Sequence, residues 1–115
     1  MSLTELETKR CERELAHYME QHRPPPHIRH QLDLSWRITG QSVEIFEIRP
    51  DWKDPNEKME RPVAKATFVR KDGLWHIYWR RQDMKWHSYE PEPIAPSVAA
   101  FLNVVERDEH ACFFG

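Results

Sequence analysis

The chain has 115 residues, a length that suits one folded core, and its 39% hydrophobic content with five Trp, three Tyr and five Phe excludes a disordered chain despite 31% charged residues. No apolar run approaches the length of a membrane span, and the opening MSLTELETKR is too polar for a signal peptide, so a cytoplasmic protein with no membrane contact is expected. The formal net charge of -2 conceals six basic against two acidic residues between Lys65 and His87, followed by five acidic residues against Arg107 from Glu90 onward, so a basic surface beside an acidic one is expected.

The first element reads as a charged helix over residues 4–22. Thr4 and Glu7 have capping-box spacing, Leu6, Leu15, Tyr18 and Met19 share a face, and Pro24-Pro25-Pro26 ends the pattern. After one turn in HIRHQL, strict alternation begins: Leu32, Leu34, Trp36 and Ile38 face one side, with Asp33, Ser35 and Arg37 on the other. Thr39-Gly40-Gln41 turns this strand into Val43–Ile48 as a hairpin. Residues 50–62, with three prolines and seven charges, read as a connection ordered around Trp52 and Met59. A third strand runs from Pro62 to Val69, a fourth from Leu74 to Arg80 and a fifth from Lys85 to Tyr89, joined by turns at Lys71-Asp72-Gly73 and Gln82-Asp83. Pro91, Pro93 and Pro96 break the sheet. A last helix over 96–107 follows, with Val98, Phe101, Leu102 and Val105 at i, i+3, i+4 and i+7.

The fold class is therefore α+β: one domain over 1–115, a five-stranded antiparallel β-meander over 32–89 with an N-terminal and a C-terminal helix packed on it. No internal repeat or second domain is expected. Strand four carries Leu74, His76 and Tyr78 on one side and Trp75, Ile77 and Trp79 on the other, so both sides need cover. The two helices and the 50–62 loop are the expected cover. An exposed aromatic groove or a homodimer interface, flanked by Arg80, Arg81 and Lys85, is the alternative.

The segments RPPPHIRHQ, FEIRPDW, PVAKATF, GLWHIYWRR with KWHSYEP, and the closing FFG together resemble a bacterial family of small proteins, the domain of unknown function family numbered 3024, over residues 23–115. The resemblance implies a compact bacterial domain and no particular activity, substrate or cofactor.

Three groupings are chemically suggestive. His17, His22, His27 and His30 fall within one short stretch, but prolines separate them and only His27 and His30 have i, i+3 spacing, so surface histidines and no metal are expected. Cys11 and Cys112 match no zinc spacing and are expected as free thiols. Glu47 and Arg49 alternate onto one strand face beside Trp52, either as an ion pair fixing the strand end or as a hold on an anion. Trp75, Tyr78, Trp79, Trp86 and His87 with Arg70, Arg80 and Arg81 interleave aromatics and cations on neighbouring strands.

With no nucleophile elbow, phosphate loop or catalytic residue in view, and no cofactor implied, the function expected is non-catalytic binding. The domain is expected to associate with itself or a protein partner through the sheet surface around Trp79 and Arg80. Single-stranded RNA or DNA binding on the Trp/Arg surface is one alternative. A small-ligand enzyme using His27, Glu47 or His87 as acid-base groups is the other.

Overall fold

The structure, a computed structural model, describes residues 2–114. Met1 and Gly115, the two ends of the expected domain and the last residue of the FFG motif, lie outside the described residues.

Helix α1 spans Glu5–His22. Thr4 caps it reciprocally with Glu7: each side chain accepts the other residue's backbone N–H, which satisfies two of the amides a helix start leaves free. Its buried face is Cys11, Leu15, Tyr18 and Met19. Leu6, expected on that face, is exposed, and Leu3 before the cap is buried instead, its N–H donating to Gly40 O at the tip of the first hairpin. Helix α2 spans Val98–Arg107, capped by Ser97, whose hydroxyl accepts Ala100 N–H. Phe101, Leu102, Val104 and Val105 are buried along it.

Between the helices run β1 (Asp33–Thr39), β2 (Ser42–Pro50), β3 (Lys58–Val69), β4 (Leu74–Arg80) and β5 (Trp86–Ser88), paired antiparallel in chain order. Gly40, at φ 60°, makes the two-residue turn between Thr39 and Ser42. A sixth strand absent from the sequence expectation, β6 (Ile94–Ala95), pairs with β4 beside Trp75 and His76, while β5 pairs with the other end of β4 at Tyr78–Arg80. The prolines break the fifth position of the sheet into two pieces rather than ending it.

The β2–β3 register skips one residue: Ile45 pairs with Ala64 but Phe46 with Pro62, so Val63 is a bulge residue. The extra residue lets Val63 and Ala64 both be buried in a strand that otherwise alternates.

Antiparallel partners share a sheet face, which sorts the strands into two surfaces. Trp36, Ile45, Ala64 and Trp79 form one cross-strand row, and Ile38, Val43, Ala66 and Ile77 the next. These residues belong to, or pack on, the single hydrophobic core that includes Leu15, Tyr18, Phe101 and Val105 of the helices. Both helices lie on this face, since they contact each other while α1 reaches β1 and α2 reaches β3, β4 and β6. The expectation that helices and loop would cover both sides of β4 is thus corrected. The 50–62 segment, expected as a connection, does not cover the sheet but partly joins it: Pro50 ends β2, Lys58 begins β3, and Trp52 near the hairpin tip is 82% exposed.

Candidate binding face

The second face carries Arg37, Glu44, Lys65, Tyr78 and Ser88 in one cross-strand row. Phe46 lies in the neighbouring row, and Arg80 pairs with Trp86. None of these side chains joins the hydrophobic core. Cations lie against every ring. The Arg37 guanidinium sits 4.1 Å from the Phe46 centroid, Lys65 Nζ lies 5.2 Å from Tyr78 and 5.1 Å from Trp86, and Arg80 is 5.4 Å from Trp86. Such contacts stabilise by roughly 0.5–1 kcal/mol each at partly exposed sites, enough to order flexible cationic side chains over the strands. Phe46 is buried beneath Arg37, whereas Tyr78 and Trp86 are half-buried and retain accessible surface. Arg37 also pairs with Glu60 through Nη2, while its buried Nε has no hydrogen-bond acceptor among the described residues.

The residues singled out in the sequence separate onto different surfaces. Trp75 is buried under the helices, and Trp79 and its cross-strand partner His87 share that face at the sheet's end. Tyr78, Arg80 and Trp86 sit together on the helix-free face. Glu47, Arg49 and Trp52 belong to the far end of the β2–β3 hairpin. Glu47 is the buried charged residue among those described, 7% exposed, and its Oε1 accepts from Arg61 Nη1 at 2.9 Å and Arg49 Nη2 at 3.3 Å. Arg61, across the strand pair, went unnoticed in the sequence; register alone brings it there. Lys65, one of a basic run in the sequence, and Arg37, a polar position of β1, likewise reach the helix-free face through the register alone.

His27 lies exposed in the turn after α1, Glu47 is engaged by two arginines, and His87 is held by Asp83, so the three acid-base candidates occupy separate surroundings. His87 lines a cleft of about 410 Å³ with Trp79, Arg81, Glu90, His110 and Cys112. His22 stacks on Tyr18 with centroids 4.3 Å apart and places Nε2 3.5 Å from Glu106, linking the two helices. Among the described residues no three His, Cys, Asp or Glu side chains are grouped to hold a metal. Cys11 and Cys112 are free thiols; burial pushes Cys11 up to about 11, so it stays protonated near neutrality.

The turns flanking β4 share one construction. In each, an aspartate accepts the N–H two residues on and bonds a histidine four residues on: Asp72 with Leu74 and His76, Asp83 with Lys85 and His87. The His76 contact is the largest cause holding the Asp72 carboxyl below its ordinary value. For Asp83 the Lys85 amide contributes most, then His87.

The family model described as Domain of unknown function (DUF3024) matches residues 3–115. This match takes in α1, which the motif resemblance from residue 23 onward had left out. No curated protein and no solved structure matches the chain. No helix among the described residues is long and apolar enough to cross a membrane.

Proposed function

The chain belongs to the DUF3024 family, and from the geometry of its sheet we propose that it is a non-catalytic binding domain of the bacterial cytoplasm whose working surface is the helix-free face of the meander. One observation carries this reading: both helices pack on the Trp75–Ile77 face, leaving Tyr78 and Trp86 on the other among Arg37, Lys65 and Arg80. A sheet face meant only for solvent has no need of large rings in ordered contact with cations, and large rings with arginine are what binding surfaces are enriched in. Two free thiols are in keeping with a reducing compartment. The enzyme reading loses support because His27, Glu47 and His87 do not converge.

Mapping amide shifts by solution NMR tests the proposal, in a dilution series of the protein alone and in titrations with single- and double-stranded oligonucleotides. Changes concentrated on Glu44, Lys65, Tyr78 and Ser88 are expected in at least one arm. Changes confined to the helices, or to none of the arms, would overturn it.

A further inference from the structure

Resting on that reading, we infer that the occupant of the face is a single-stranded nucleic acid, with bases stacked on Tyr78 and Trp86 and phosphates met by Arg37, Lys65 and Arg80. The argument is one of charge and shape. Tyr78 and Trp86 lie on adjacent antiparallel strands, both within reach of Lys65, so two ring faces and one ammonium form a continuous strip. Arg80 extends the strip beside Trp86. A flexible strand presents alternating flat bases and anionic phosphates, the complement of this alternation; a duplex hides its base faces and offers the rings nothing to stack on. Arg37, half-exposed and paired with Glu60, adds a guanidinium at the far end of the same cross-strand row.

A second copy of the chain fits less well. A two-fold interface sets a patch against itself, so Arg37, Lys65 and Arg80, which outnumber Glu44 and Glu60 there, would meet the same surplus of cations in a contact whose centre must lose its water. The chain's acidic charge lies largely elsewhere: Glu92 and Glu109 pair with Arg107, and Glu7 pairs with Arg70. Glu44 and Glu60 do share the face. The surplus of cations there is accordingly small, and stacking rather than charge supplies most of the affinity.

Fluorescence anisotropy of labelled strands of about 12 nucleotides, oligo-dT and oligo-U, against the full chain tests this, with a matched duplex beside them. Both single strands, or one of them if the 2′-hydroxyl is read, are expected to bind more tightly than the duplex. Trp86→Ala should weaken binding about 5- to 100-fold, and Trp52→Ala should leave it unchanged. With three cations engaged, the slope of log affinity against log salt should be about -2, and Lys65→Gln or Arg80→Gln should each reduce it by about 0.7. The glutamine variants replace partly exposed surface side chains and serve even where Trp86→Ala does not fold. Equal affinity for duplex and single strand, or a slope indifferent to both glutamine variants, overturns the inference. Amide changes on this face in the dilution series, with no oligonucleotide bound, would replace the strand by a second copy and leave the binding reading intact. Silence in every arm removes both.

Discussion

Asp83 holds His87 across the β4–β5 turn, Oδ2 2.7 Å from the imidazole Nε2, and repeats what Asp72 does to His76 one turn earlier at 2.8 Å. The residue after each aspartate adopts a left-handed backbone, Gly73 at φ 68° and Met84 at φ 63°. One turn uses the residue type that adopts this conformation freely; the other forces a side chain into it.

Met84 is 73% exposed, so its side chain contributes little that would be missed. Met84→Gly should stabilise the protein by about 0.5–1 kcal/mol, and Gly73→Ala, whose Cβ meets nothing within 4 Å, should cost about 1 kcal/mol from the backbone alone. Denaturation midpoints of the two variants check this; changes in the same direction would contradict it.

Acid should loosen the fold through its paired carboxylates. Hydrogen bonding to Arg70 holds Glu7 at about 2, below its ordinary 4.5, and Asp33 is lowered chiefly by Arg23, with Asp72 and Asp83 lowered as well. A carboxyl depressed in the folded state contributes stability that is complete above its unfolded value and drains away as pH falls toward the folded one. Melting temperature should therefore be insensitive to Glu7 above about pH 5 and fall between 4.5 and about 2. Glu7→Gln should melt lower than wild type at pH 7, with the two curves converging near pH 2; parallel curves would remove Glu7 from the account.

Glu47 gives a test of role. If its carboxylate is held for structure, Arg61→Ala should cost about 1–3 kcal/mol by stripping a partner from a buried charge. Glu47→Leu, which removes the charge itself, should stay within about 1 kcal/mol of wild type. Urea titrations of both variants decide; a Glu47→Leu loss as large as that of Arg61→Ala would point to a carboxylate needed for more than its ion pairs.

The tryptophans should divide sharply. Trp75 under the helices should cost about 3–5 kcal/mol as Ala, whereas Trp52, solvent-facing, should fall within about 0.5 kcal/mol of wild type. Thermal melts of the pair would expose any error in the assignment of faces.

The elements read clearly from sequence because their signals are local: the Thr4–Glu7 box, the Gly40 turn, the stripe of α2. The order of strands followed from short turns. Which face the helices cover was not readable, because β4 is aromatic on both sides and nothing in its alternation says where α1 and α2 settle. Grouping the tryptophans into one surface failed for a related reason. Alternation separates Trp75 and Trp79 from Tyr78 and Arg80, but only the register across the 81–85 turn, which pairs Arg80 with Trp86, tells which side the fifth strand's ring joins. Arg61 reached Glu47 through the same kind of long-range pairing, past a bulge at Val63 that no sequence period announces.

The divided fifth position of the sheet bears on how this protein resists aggregation. β4 is flanked by a three-residue strand and a two-residue strand, and the gap between them is bridged by Tyr89 N–H to Ile77 O and Ile77 N–H to Pro93 O. Pro91 and Pro93 carry no amide proton to offer a neighbour. An incoming chain that tried to extend the sheet by copying this rim would find no run long enough to template it, and fibril growth from that side would first require the proline segment to straighten.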